Sequence, residues 1–376
     1  SPIPLRPAVP SSTPVPATRL GRIPLSRPRP STPDPRFRPS AFSGEAVPFQ
    51  ITAFREGHDR IGVHVRLVSP SGAESLHRLE PLHDGFDRWR TLIAPREVGV
   101  WTFRFEAFAD EFATWQHAAD LKIAAGVDAA LMREMGALLF DRAARENDRG
   151  AAQARTLKHA AGVLRDAAVS DEEALRIVRD DEIAAFFRER PLAALHTSGP
   201  DLELLVERER AGVGAWYEFF PRSEGAKRQK DGSVKSGTFR TAARRLPGVA
   251  GMGFDVVYLP PIHPIGRINR KGSNNSLEAL PGDPGSPYAI GAAEGGHDAI
   301  LPELGTPADF RWFVRQAQAQ GLEVALDLAL QAAPDHPWVT EHPEWFTVLP
   351  DGTIAYAENP PKKYQDIYPL NFDTDP

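Results

Sequence analysis

The sequence predicts a multidomain chain: an immunoglobulin-like β-sandwich, a helical insert, and then parallel βα units of the kind that build a (β/α)8 barrel. Three observations carry this. Apolar residues alternate with period two from residue 48 and recur at helical spacing over 127–210. They then gather into short β-branched or aromatic runs stopped by proline and separated by helical patterns. With 376 residues, the chain is long enough for two or three domains.

Composition narrows the function classes. A formal charge of −6 argues against a nucleic-acid partner held by bulk charge. Cysteine is absent, which excludes disulfides and thiolate metal sites and suits a reducing cytoplasm, the expected location. No stretch approaches the roughly 20 apolar residues of a membrane span, so no membrane partner is expected. No signal-peptide pattern opens the chain, which begins at Ser1.

Residues 1–40 hold 12 prolines interleaved with Ser, Thr and Arg, a composition that reads as an extended arm. Arg6, Arg19, Arg22, Arg27 and Arg29 make it basic, and a solvated tail is favoured over a docking segment. The sandwich is expected over 41–124. Val63, Val65 and Leu67 alternate with His64 and Arg66, and Trp101, Phe103 and Phe105 alternate with Thr102, Arg104 and Glu106. Turn signals at 69–72, 83–85 and 98–99 separate the runs. Because alternation points Trp89, Trp101 and Phe103 to one face, they are read as core rather than as a sugar-stacking platform.

Over 125–211 the period becomes 3.6. Leu131, Met135, Leu138 and Leu139 follow i, i+4, i+7, i+8, and Ser170 with Glu173 forms a capping box ahead of Leu175, Val178, Glu182 and Phe186. Leu202, Leu205 and Val206 suggest a last short helix. The charge-dense faces read as solvated. An insert of this size buries itself poorly alone, so packing against a second copy is expected.

From 212 to 376 the runs 215–221, 256–259 and 322–330 read as strands. Helical patterns at 241–252 (Leu246, Val249) and 307–320 (Phe310, Phe313, Val314, Ala317) separate them, the second ended by Gly321. Strand–helix–strand–helix–strand implies right-handed βαβ units, and in a (β/α)8 barrel the chemistry sits at the carboxyl ends of such strands. Segment 267–275 has only Ile268 to bury, so it belongs at the sheet's rim, where loops carry function.

The motifs WYEFFPRS, GFDVVYLPPIHPIG, NRKGSNN, GSPYAIG, EGGHD, ALDLALQAAPDHPW and AENPPKKYQDIYPLNFDTDP together resemble the GlgE maltosyltransferases of the α-amylase superfamily, glycoside hydrolase family 13. The resemblance is nearly continuous from Trp216 onward, and NRKGSNN and AENPPKKYQD are its specific blocks. It implies the first part of a (β/α)8 TIM barrel, with a loop domain at about 331–369 after the third strand, and a helical domain within a homodimer. The implied donor is α-maltose 1-phosphate and the acceptor an α-1,4-glucan or malto-oligosaccharide. Maltosyl units would pass to the non-reducing end with retention and release of phosphate, without a cofactor or metal.

A glycosyl phosphate needs cationic and amide donors at fixed positions. Pro360 and Pro361 stiffen the backbone among Asn359, Lys362, Lys363 and Tyr364. The resemblance assigns Asn359, Lys362 and Tyr364 to the donor phosphate, and Lys363 points elsewhere. It assigns Lys271, Gln331 and Asp366 to the maltosyl unit. Asn274 and Asn275 read as turn residues. Asp327 occupies the aspartate of the superfamily's D-x-x-x-N-H region, where Asn has become Gln331 and His has become Ala332. It reads as a support rather than a catalyst. Tyr288 and Ser286 either meet a sugar or pack their loop. His297-Asp298 is rejected as a dyad, since neighbours on an extended chain point opposite ways. His336 and His342 with Asp335 and Glu341 match no zinc spacing. Asp231-Gly232, in the basic loop holding Lys227, Arg228, Lys230 and Lys235, reads as an exposed hairpin turn.

A retaining transfer needs a nucleophile and an acid/base about 5 Å apart. The resemblance places both carboxylates on later strands, so no catalytic residue is assigned within the sequence and the fragment alone is expected to be inactive. The rival readings are an amylase-like hydrolase or trehalose-forming enzyme, and a non-catalytic glucan-binding dimerisation module if the native chain ends at Pro376.

Overall fold

A computed structural model describes residues 21–146 and 150–373. Residues 1–20, with Arg6 and Arg19 of the expected arm, lie outside the described residues, as does Pro376. The chain divides into two compact units, Ser1–Gly212 and Val213–Pro376.

Among the described residues of the first unit the strands are β1 (Leu25–Arg29), β2 (Ser40–Phe42), β3 (Val47–Ala53), β4 (Ile61–Val68), β5 (Glu74–Arg78), β6 (Glu80–Pro81), β7 (Arg88–Ile93), β8 (Gly99–Asp110), β9 (Ala193–Ser198) and β10 (Leu202–Glu207). One sheet runs β1-β3-β7-β6. The other runs β2-β10-β8-β4-β5, with β9 also paired to β8. Side chains two apart share a face, so Val63, Val65, Leu67, Phe103 and Phe105 reach one core and meet Phe49 and Ile51 from the first sheet. The Phe49 and Phe103 rings pack edge to face at 5.1 Å, and burying each such ring contributes on the order of 2–3 kcal/mol. Phe103 is fully within this core, whereas Trp89 and Trp101 sit half-buried at its margin.

The structure corrects three expectations here. Residues 21–40 are not all arm: Ile23 is fully buried in the sheet core and β1 pairs with β3. β1 lies at the edge of its sheet, where Pro28 removes no needed donor. The stretch around Leu202 is a strand rather than a helix, and its two-residue rhythm puts Leu204 and Val206 in the core. The sheet strand ends at Asp110, not near Ala124; the Asp110 carboxylate accepts from the Ala113 amide at 3.0 Å and starts a helix.

That helix, α1 (Glu111–Ala124), is followed by α2 (Ala129–Ala144), α3 (Ala151–Arg165), α4 (Asp171–Val178) and α5 (Asp181–Glu189). Their core centres on Phe112, Trp115, Phe140 and Phe187, with Phe112 and Phe187 stacked at 3.9 Å. The buried face of α2 is Met132, Gly136, Phe140 and Ala143, whereas the expected stripe of Leu131, Met135 and Leu138 faces outward. The Trp115 ring decides this. A Cβ on Gly136 would lie 2.1 Å from its Cζ2, so only glycine admits the indole, and its N–H donates to the Met132 carbonyl at 2.7 Å. Leu175 and Phe186 belong to separate helices, because Asp180 caps the Glu182 amide and restarts the chain.

In the second unit, β11 (Trp216–Glu218), β12 (Lys227–Arg228), β13 (Val234–Lys235), α6 (Phe239–Ala242), α7 (Leu246–Gly251), β14 (Val256–Leu259), α8 (Pro307–Ala319), β15 (Glu323–Leu326), β16 (Gln331–Ala332), α9 (Pro337–Glu341), β17 (Ala357–Asn359), β18 (Lys362–Tyr364) and β19 (Tyr368–Pro369) follow in order. Strands β11, β14 and β15 form a parallel sheet with β14 central. Val257 and Leu259 are fully buried against Phe239, Leu246, Val249 and Phe313. Capping boxes at Thr238 and Thr306 start α6 and α8, and Gly321 takes the left-handed turn (φ 75°) after α8. The outer strands are shorter than their apolar runs. After Leu326 only the Asp327 amide still bonds to Leu259, and Leu328 and Leu330 are exposed.

Candidate functional site

The residues expected to meet a ligand lie on connections that follow the carboxyl ends of β14 and β15. Loop 267–275 is pinned to the segment before β19. The Asn269 amide nitrogen donates to the Gln365 carbonyl at 3.1 Å, and Lys271 Nζ donates to Gln365 Oε1 at 3.3 Å. Lys271 and Asp366 are both buried, at 6 % and 2 % exposure. Among the described residues nothing donates to either Asp366 oxygen. Burial therefore pushes its carboxyl above the usual range, with its own backbone amide, just outside good hydrogen-bond geometry, and then the Lys271 charge opposing. A buried carboxylate without a donor is costly, and a ligand hydroxyl placed there relieves the cost.

Gln331 begins β16, which pairs with β19, so the chain brings Gln331 and Asp366 onto one small framework. The Gln331 amide nitrogen donates to the Tyr288 carbonyl at 2.9 Å, leaving its Oε1 as an acceptor. Asn359, Lys362 and Tyr364 fall on a hairpin whose register is Asn359 opposite Lys362 and Ala357 opposite Tyr364. Cross-strand partners and residues two apart share a face, so these three side chains stand on one side and Glu358 and Lys363 on the other. Lys363 sits 5.8 Å over the Tyr356 ring. Tyr364 and Tyr288 pack on the same small cluster of Ile265, Ala289, Ala333 and Ile367.

A cavity of about 390 Å³ opens beside the loop, lined by Phe220, Arg222, Lys271, Ser286 and Tyr288. It takes in Lys271 but not Gln331, Asp366 or the hairpin residues. Arg222, which the sequence reading did not single out, is the first cation after the β11 run. It donates to the Gly285 carbonyl at 2.9 Å, and burial with Arg270 nearby holds its pKa below the usual. Asp327 is engaged by the Tyr258 and Tyr288 phenols; that bond pushes the Tyr258 hydroxyl up to about 12, so it stays a donor. The Asp335 carboxylate accepts from the Arg267 amide at 2.9 Å and shapes the loop. The 227–235 segment is an exposed hairpin turning at Gly232 (φ 88°). Asn274 and Asn275 take left-handed turn conformations. Among the described residues no set of three His, Asp or Glu is placed to hold a metal.

Buried cation, orphaned carboxylate, amide acceptor and a cationic hairpin face make up a donor–acceptor set that suits a polyhydroxylated ligand carrying an anionic group. Residues 21–208, half of the chain, match the family model described as alpha-1,4-glucan:maltose-1-phosphate maltosyltransferase, domain N/S. Relatives bearing the name alpha-1,4-glucan:maltose-1-phosphate maltosyltransferase include one from Streptomyces coelicolor, 51 % identical over 96 % of this chain and 52 % of its own. One from Arcanobacterium haemolyticum is 49 % identical over 95 % and 52 %, and one from Mycobacterium tuberculosis is 46 % identical over 89 % and 51 %. The chain belongs to the α-1,4-glucan:maltose-1-phosphate maltosyltransferase family. It spans about half the length of the curated relatives it matches. Among the described residues, no helix is long and apolar enough to cross a membrane.

Proposed function

We propose that the protein is a retaining maltosyltransferase that moves maltosyl units from α-maltose 1-phosphate to the non-reducing ends of α-1,4-glucans and releases phosphate. The buried, unpartnered Asp366 carboxylate beside Lys271 carries this reading. Lys271, Gln331 and Asp366 hold the maltosyl hydroxyls, and Asn359, Lys362 and Tyr364 hold the phosphate. The phosphate is an acidic leaving group, so Lys362 acts mainly by stabilising departing charge. The nucleophile and acid/base are not assigned to any carboxylate of the described residues in this reading.

The second unit is read as the first three βα units of a (β/α)8 barrel of glycoside hydrolase family 13. Three parallel strands with helical crossovers, whose outer edges pair with no further strand among the described residues, support that. The two facing sheets are read as an immunoglobulin-like sandwich. The helical segment is read as the contact of a homodimer, because Leu131, Met135 and Leu138 are 55 %, 44 % and 57 % exposed along one face of α2. They border an apolar groove of about 780 Å³. The absence of cysteine suits a cytoplasmic location.

The test is phosphate release from α-maltose 1-phosphate by the full natural polypeptide, with and without a malto-oligosaccharide. Acceptor-dependent release with chains growing by two glucose units is expected. Release without chain growth would point to a hydrolase instead, and no release would remove the phosphate-site assignment.

A further inference from the structure

Beneath the turn that precedes β16 lies a pair of histidines in which hydrogen bonding fixes each proton. The Trp338 amide donates to His336 Nδ1 at 3.0 Å, so that nitrogen is bare and the neutral ring carries its proton on Nε2. His336 Nε2 is 3.2 Å from His297 Nδ1, which must therefore accept. His297 in turn carries its proton on Nε2, and this donates to the Ala329 carbonyl at 2.8 Å. The same carbonyl also accepts from the Gln331 amide at 2.9 Å. The chain of donors thus runs from Trp338 through both rings into the three-residue turn that carries Gln331.

The surroundings are built to this pair. Trp338 lies flat on His297, with ring centroids 4.7 Å apart and planes 4° from parallel. A Cβ on Gly291 or Gly296 would stand 2.2 Å and 2.1 Å from the His336 ring, so both positions must stay bare for it to fit. The third histidine, His263, is occupied separately, donating from Nδ1 to the Ala299 carbonyl at 2.9 Å. A simple packing residue at 297 needs only the flat face. Acceptance on one edge and donation on the other suit a part that holds the turn in one position.

We propose that His297 is a positioning residue for Gln331, holding turn 329–331 so that the Gln331 Oε1 faces a substrate hydroxyl. This rests on the reading that Gln331 contacts the maltosyl unit. His297 itself touches no ligand; it acts through the Ala329 carbonyl, which also accepts from the Gln331 backbone N–H, while the Tyr288 carbonyl accepts from the Gln331 side-chain nitrogen.

The experiment uses the full natural polypeptide and two probes titrated separately by calorimetry, maltose and inorganic phosphate. His297→Phe keeps the stack on Trp338 but neither hydrogen bond. It should weaken maltose about 10-fold, near 1.4 kcal/mol, and leave phosphate affinity within about twofold. His297→Gln, whose amide nitrogen reaches the Nε2 position, should restore maltose to within about threefold. Wild-type maltose affinity in His297→Phe, no recovery in His297→Gln, or equal loss for both probes would each overturn the assignment. Gln331→Ala separates the two layers. If it binds maltose normally, the sugar-contact reading fails and takes the proposal with it. If it weakens maltose while His297→Phe does not, only the positioning role fails. Nitrogen-15 NMR of the unsubstituted protein gives a reading that needs no variant to fold: both His297 and His336 should be Nε2–H tautomers, and an Nδ1–H form of His297 refutes the proposal.

Discussion

Asp366 holds its carboxyl in a buried place where burial pushes the pKa up, opposed by its own backbone amide and by the Lys271 charge. Replacing the carboxyl by an amide removes a buried ionisable group and one acceptor for a ligand hydroxyl. We therefore expect Asp366→Asn to raise the free energy of unfolding by about 1 kcal/mol while weakening maltose binding about tenfold. Chemical unfolding and calorimetry on the same sample would show this; a variant that loses both stability and affinity would contradict it. Histidines give a second prediction. His64, among Arg78, Glu106, Asp110 and Arg66, and His336, facing His297, Asp298, His263 and Asp335, are each lowered by burial to about 4. Their folded values lie below the unfolded value of 6.5, so the unfolded chain binds more protons between those limits. Their stabilisation is complete above pH 6.5 and is lost as pH falls toward 4. Discounted for solvent screening, this is about 1–2 kcal/mol for each ring. A melting midpoint that does not fall between pH 6.5 and 4 would refute it.

At the scale of elements, the hairpin of β17 and β18 sorts two adjacent lysines onto opposite faces. Lys362→Ala should raise the donor KM by about 10- to 100-fold without a matching change for the acceptor, whereas Lys363→Ala should stay within about twofold. Equal effects would mean that the face assignment is wrong. Helix α2 gives the complementary case. Alanine for glycine usually stabilises a helix, but Gly136→Ala drives a methyl into Trp115 and should cost about 1–3 kcal/mol, readable by urea unfolding. That site also shows where sequence reading stopped. Period two in β4 and β8 was legible because both the large inward residues and their polar neighbours follow it. On α2 the leucines Leu131 and Leu138 and Met135 point outward, and the buried face joins Met132 and Phe140 to Gly136 and Ala143, two small residues whose place a count of large hydrophobics does not reveal. The strand at Leu202 was lost to an i, i+3, i+4 coincidence in six residues. For the candidate site, the rim position of 267–275 and the cluster at 359–366 were readable as polar runs held by proline. The shared face of Asn359, Lys362 and Tyr364 and the cavity position of Arg222 depend on pairing register and on distant loops, which spacing alone does not encode.

For the molecule as a whole, the outward stripe of α2 bears on association. If a second copy covers it, Leu138→Glu should convert a dimer to a monomer in sedimentation velocity and abolish the concentration dependence of the unfolding midpoint, while the monomer still folds because Leu138 is exposed in the single chain. A dimer that survives the charge would place the contact elsewhere. Asp110, the last residue of β8, is the cross-strand partner of Ala193, the first of β9. Directly opposed residues in an antiparallel pair have Cα atoms only about 5 Å apart. The whole helical segment therefore leaves and re-enters the sheet through a doorway the width of a tight turn. An Asn-Gly dipeptide is long enough to close that doorway, so the connection from Asp110 to Ala193 is expected to vary as a module. Loss, exchange or enlargement of that module between related proteins need not disturb the register of the sheet that carries it.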